Sequence, residues 1–122
     1  MIKNFKLGDI VMVDLPQDYD NIQGKPRPCI VLGNELALRH SPIITIIPLT
    51  GHSTKRMDIP CHVIVGPDET SNGLSVNSVV LCEQIRTVPK EWVFAYKGRL
   101  TSQAMELVKM GLIADTKFDT NS

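Results

Sequence analysis

The stretch Gly24-Lys25-Pro26-Arg27-Pro28-Cys29-Ile30-Val31-Leu32 sets an arginine between two prolines at the mouth of an apolar run. Pro26 fixes its own φ, and Pro28 pushes the residue before it toward extended backbone, so Arg27 stands on stiff chain. Its planar guanidinium offers five donors, which suits either a clamp on a carboxylate or a preformed anion site. Thr50 ends a second apolar run and is followed at once by Gly51, His52, Ser53, Thr54, Lys55 and Arg56. Hydroxyls and backbone amides around a glycine can cradle an oxyanion or a phosphate, and the same groups also bond readily to the backbone of a turn. Lys55-Arg56 reads as a solvated basic pair or as a contact to a phosphate backbone. Of the three histidines, His52 alone lies in this loop, whereas His62 opens a strand and reads as structural.

A third polar site interrupts an apolar run. Glu83-Gln84 follows Val79-Val80-Leu81-Cys82 in what reads as one strand, SVVLCEQIRTV, over residues 78–88. A carboxylate buried there costs on the order of several kcal/mol unless it is paired. Arg27 or Arg86 would serve as its partner. Alternatively, the carboxylate lies beside a reaction centre and takes a proton.

The elements that must position these residues are short and mostly extended. Residues 8–15 read as a first strand opened by a Gly-Asp turn, 16–26 as a long polar loop, and 28–33 as a second strand. Residues 34–42 form a connection with room for one helical turn. Residues 43–50 are a third strand, where Pro48 implies a bulge or an edge. Residues 61–65 form a fourth, and residues 92–96 a shorter extended piece after the 78–88 strand. Thr101 is a good N-cap for a helix whose apolar face carries Met105, Val108 and Leu112, weakened by roughly 1 kcal/mol at Gly111. Five or six short strands and one C-terminal helix predict an α+β fold: a small, strongly bent antiparallel sheet or barrel. The expectation is one domain over residues 1–122, with its core at about 7–115 and a frayed tail at 116–122.

Bulk composition narrows the function classes. Apolar residues make up 43% and charged residues 21%, so general disorder is excluded. Thirteen basic and thirteen acidic side chains cancel, and neither half of the chain is strongly charged, so any anion site must be local. Cys29, Cys61 and Cys82 each border an apolar run with no CxxC pair, which reads as buried free thiols in a reducing compartment and not as a metal site. The most apolar run, residues 43–49, is too short to span a bilayer. A soluble, cytoplasmic protein without a membrane partner is expected.

Taken in order, GDIVMVDL, QGKPRPCIVLGN, IITIIPLT, IPCHVIV and GLSVNSVVLCEQIRTV resemble the MazF/PemK family of toxin endoribonucleases. The resemblance is clear over residues 8–88 and extends, more weakly, through the final helix. It implies an SH3-like, curved sheet assembled as a homodimer. It implies a toxin of a type II toxin-antitoxin system that cleaves single-stranded RNA without metal or cofactor. The ribose 2′-hydroxyl would attack the adjacent phosphate, leaving 2′,3′-cyclic phosphate and 5′-hydroxyl ends. A cognate antitoxin would cover the RNA groove, and operator DNA would be bound only by the toxin-antitoxin complex. By the same resemblance Arg27, Thr50 and Glu83 are catalytic. Substrate binding falls to Gln23 and Gln84, with Tyr19, Asn21, His52, Ser53 and Lys55 in the neighbouring loops. The chain departs from the family at Asn21-Ile22-Gln23, where many members carry Glu-Gln. Two alternatives accompany this reading. One is a CcdB-like gyrase poison, which acts through the tip of a C-terminal helix; the polar ending TKFDTNS and the placement of the one tryptophan at Trp92 argue against it. The other is a non-catalytic SH3-like module that binds nucleic acid or peptide.

Overall fold

The computed structural model describes residues 4–16, 26–51, 62–66, 74 and 77–116. Seven strands occupy them: β1 (Asp9–Asp14), β2 (Pro26–Leu32), β3 (Ile43–Gly51), β4 (His62–Val65), β5 (Ser78–Leu81), β6 (Arg86–Pro89) and β7 (Val93–Arg99). Helix α1 (Glu35–His40) joins β2 to β3, and α2 (Ser102–Thr116) closes the described chain. The strands pair antiparallel in the order β4-β5-β3-β2-β1-β7, with β6 also on β3. The sheet is open, with β4 and β7 as its ends, so the expected curved sheet does not close into a barrel.

Period-two alternation explains why the central strands look continuously apolar: both faces are covered. Val11, Val13, Cys29, Val31, Ile44, Ile46 and Val88 gather on one face with Phe5 and Leu38. Ile10, Ile30, Ile47, Leu49, Val65 and Val80 gather on the other, packed under Ala104 and Val108 of α2. Local capping agrees with the sequence. Asn34 Oδ1 accepts the Ala37 amide at 2.8 Å to start α1, and Thr101 Oγ1 accepts the Ala104 amide at 3.1 Å to start α2. Gly111 is buried on the inner side of α2 with Ala104 and Val108.

Three expectations change. The run 78–88 is not one strand: β5 bonds to the end of β3, at Leu49 to Gly51, and β6 to its start, at Ile43 to Ile46. On β3, Leu81 to Ile85 are therefore left only Ile47 and Pro48, and the surplus residues coil into a 3-10 turn, Cys82–Gln84. Pro48 sits on a central strand, paired with Cys29, where β3 passes from one of these partners to the other. A residue without an N–H is tolerated where the ladder on that side is interrupted. The extended piece expected at 92–96 becomes β7, a full strand that continues to Arg99 along β1.

Tight contacts hold β1 and β7 together. Gly8 has φ +91 and lies 3.4 Å, measured from where a Cβ would stand, from Met105 of α2. Left-handed backbone and close approach both favour glycine there. The next residue, Asp9, is buried, and its carboxylate accepts from the Lys6 amide at 2.8 Å and from Arg99 Nε at 2.9 Å. Among the described residues, no helix is long and apolar enough to cross a membrane.

Candidate anion-binding site

Arg27, Thr50 and Arg86 fall by alternation on the face of the first core. Along β2, alternation sets Arg27 on the face of Cys29 and Val31; along β3 it sets Thr50 on the face of Ile44 and Ile46. The register that joins Cys29 to Pro48 and Ile30 to Ile47 leads, two residues further along, from Arg27 toward Thr50. Arg86 stands opposite Ile46 on the other side of β3, in alternation with core residue Val88.

Cys29 reports the convergence of the two arginines. Burial pushes its thiol up to about 12, while the Arg86 and Arg27 guanidiniums both act in the opposite direction by favouring the anion. Its Sγ lies 3.6 Å from the Arg27 carbonyl oxygen, to which it donates. The thiol is thus neutral packing at the base of a cationic corner.

Arg27 itself is half-buried, and its Nε is shielded from solvent with no hydrogen-bond partner among the described residues. A buried charged donor left open costs about 1–3 kcal/mol, so such a group calls for an explanation, and a ligand that supplies the acceptor is one. Half-buried Thr50 makes no side-chain hydrogen bond among the described residues. The 3-10 turn sets the acidic pair differently from expectation: Glu83 is exposed on it, not buried inside a strand, and Gln84 is half-buried. The cost that demanded a buried ion pair therefore disappears. Arg86 is directed at Gln84, donating from Nε to the Gln84 carbonyl at 3.1 Å and from Nη2 to Gln84 Oε1 at 3.4 Å.

Tyr19, Asn21, Gln23, His52, Ser53, Lys55 and Cys61 lie outside the described residues. Sequence reasoning treated Arg86 only as an ion-pair candidate for Glu83 and gave Cys29 no place beside the arginines. Period-two counting back from Val88 and Val31 would have put both on this face. An apolar groove of about 820 Å³ lies elsewhere, between Leu7, Leu32, Ile85 and the Met105, Lys109 and Leu112 side of α2. Its lining belongs with the second core, not with Arg27.

The chain matches, over residues 6–114, the family described as PemK-like, MazF-like toxin of type II toxin-antitoxin system. It belongs to that family. Endoribonuclease EndoA of Bacillus subtilis is 32% identical over 107 residues, covering 88% of this chain and 90% of that protein. Endoribonuclease MazF of Staphylococcus saprophyticus is 34% identical over 83 residues, covering 68% of this chain and 67% of that protein. Among solved structures, a mycobacterial endoribonuclease in complex with its cognate antitoxin superposes with a TM-score of 0.72 at 23% identity, covering 93% of this chain and 95% of that one. At that identity the likeness speaks for the MazF fold alone, and the open seven-stranded sheet with its C-terminal helix agrees with it.

Proposed function

We propose that this MazF-like toxin cleaves single-stranded RNA by attack of a ribose 2′-hydroxyl on the adjacent phosphorus. The observation that carries the reading is Arg27: a guanidinium on stiff chain, with a buried Nε that has no partner among the described residues, on the same face and toward the same end of the sheet as Thr50. Relatives named as endoribonucleases support the same chemistry.

In this mechanism the 2′-oxygen–phosphorus bond forms and the phosphorus–5′-oxygen bond breaks. The 2′-hydroxyl proton leaves to a base, and the 5′-oxygen takes up a proton as it departs. Products are a 2′,3′-cyclic phosphate and a 5′-hydroxyl end. Arg27 meets the negative charge that builds on the equatorial oxygens, and because its backbone is fixed by flanking prolines little ordering remains at that moment. An arginine holds its proton too tightly to deliver it readily, so charge stabilisation suits it better. Thr50 holds a phosphate oxygen with its hydroxyl. Glu83, exposed on the 3-10 turn, orients the arginines or accepts the 2′-hydroxyl proton in this reading. Gln84, Gln23, Tyr19, Asn21, His52, Ser53 and Lys55 contact the RNA strand around that centre. The reaction requires no metal and no cofactor.

The same reading makes the protein a cytoplasmic homodimer held inactive by a cognate antitoxin, with operator DNA bound only by the toxin-antitoxin complex. The mycobacterial relative solved with its antitoxin supports the first of these partners. The test is to incubate the purified protein with a long single-stranded RNA in excess EDTA and to map the new ends. Discrete cuts with 5′-hydroxyl termini, absent for Arg27→Ala, are expected. Several unrelated RNAs left intact by the wild type would overturn the reading.

A further inference from the structure

We propose that Arg86 is a positioning residue that presents Gln84 to RNA as a hydrogen-bond donor, an inference that rests on the RNA-cleaving function above. Arg86 directs two nitrogens at one neighbour: Nε reaches the Gln84 backbone carbonyl at 3.1 Å, and Nη2 reaches Gln84 Oε1 at 3.4 Å. A guanidinium has donors only, so the atom of Gln84 that faces it is the amide oxygen. The NH2 group is then directed away from Arg86, and it makes no hydrogen bond among the described residues.

A glutamine without such a neighbour can rotate its amide and offer a donor or an acceptor to whatever approaches. Gln84 loses that freedom, because turning its NH2 toward Arg86 would set donor against donor. The clamp also takes the backbone carbonyl at the last residue of the 3-10 turn, so it fixes where the turn ends as well as how its side chain points. The turn lies beside the β3 stretch Ile47-Pro48, and Pro48 pairs with Cys29, next to which both arginines act. The group that Gln84 recognises is therefore a hydrogen-bond acceptor on the RNA, which on a base edge means a carbonyl oxygen or an unprotonated ring nitrogen and not an exocyclic amino group. Arg86 determines specificity through Gln84, without touching the base itself.

The test uses the full-length protein and a short RNA that carries the mapped cut site, made 2′-deoxy at the attacking position so that binding is read apart from cleavage. Gln84→Met removes the NH2 without adding charge, and Gln84→Glu keeps an acceptor toward Arg86 while removing the NH2. Both are expected to bind this RNA at least tenfold more weakly, and Gln84→Glu is expected to melt no lower than the wild type. Arg86→Lys keeps the charge but loses the fork, so it is expected to show a similar loss and to add nothing in a Gln84→Ala background. Wild-type binding by Gln84→Met would overturn the proposal. So would full rescue by Arg86→Lys, or losses at the two positions that add. A wild-type protein that neither binds nor cuts RNA would remove the underlying function, whereas an active wild type with additive losses would remove this inference alone.

Discussion

Two arginines mark opposite ends of β1, and their surroundings differ in one respect that decides what each can do. Arg99 on β7 pairs with Asp9, whose carboxylate is buried and also accepts the Lys6 amide. That carboxylate raises the Arg99 pKa further, first through the hydrogen bond and then through its charge. Arg27 on β2 stands across from Val13 near the other end of β1, and its buried Nε has no partner among the described residues. The first arginine ties β7 to β1, since the buried Asp9 carboxylate supplies an acceptor for its Nε from within the chain. The second leaves a demand that a phosphate would meet. Residue type alone does not separate a structural arginine from a functional one; the presence of an acceptor does.

The contrast can be broken most directly at Arg27. Arg27→Ala is expected to lower the cleavage rate by roughly 10³-fold, about 4 kcal/mol, as for loss of a donor aimed at transition-state charge. Its unfolding free energy should stay within about 1 kcal/mol of the wild type; a variant that fails to fold would make Arg27 a clamp like Arg99. Thr50→Val tests the neighbour in the same assay, with an expected loss on the order of 2–4 kcal/mol in the barrier. An unchanged rate would take Thr50 out of the proposed site. The clamp end should show the opposite pattern. Arg99→Ala is expected to cost about 2–3 kcal/mol in urea unfolding, because a buried carboxylate keeps only one donor, while single-turnover cleavage at low temperature stays as in the wild type. A stable Arg99→Ala would erase the distinction from that side.

Cys29 sharpens the comparison through pH. Its thiol is held neutral up to about 12, against an ordinary value near 9. Between those values the unfolded chain releases a proton that the folded chain keeps, so stability falls as pH rises, by up to about 1.4 kcal/mol per pH unit. Below about pH 9 the contribution is fully present. Urea melts of the wild type and Cys29→Ala from pH 8 to 11 should diverge in slope by that amount, and parallel curves would show that the thiol is not so buried. The smallest effect is a control remote from both arginines. Thr101→Ala removes the cap on the Ala104 amide and should cost about 1 kcal/mol without changing cleavage.

What the sequence made legible was local. Arg27 was visible because prolines frame it, Thr50 because it ends an apolar run, and the α2 start because Thr101 precedes a helical repeat. The strand at 78–88 misled because its apolar pattern runs through two separate pairings on β3, and only the register shows that residues 81–85 have too little strand to face. Glu83-Gln84 was the visible trace of that surplus, a polar pair where the alternation should have continued. The Asp9–Arg99 pair joins residues 90 positions apart, and nothing local to either one announces it. The convergence of Arg86 and Arg27 on Cys29 likewise depends on β3 lying between β2 and β6, which is a fact of topology.

That shared use of β3 also bears on the moment at which the protein becomes dangerous. Arg27 enters the chain early, while Arg86, which must find its place opposite Ile46, follows after roughly 3–12 s of synthesis at about 5–20 residues per second. Through that interval a translating ribosome would carry a cationic strand with no completed corner around it. On the proposed reading, a toxin built this way would be harmless to RNA until the segment that carries Arg86 has been made.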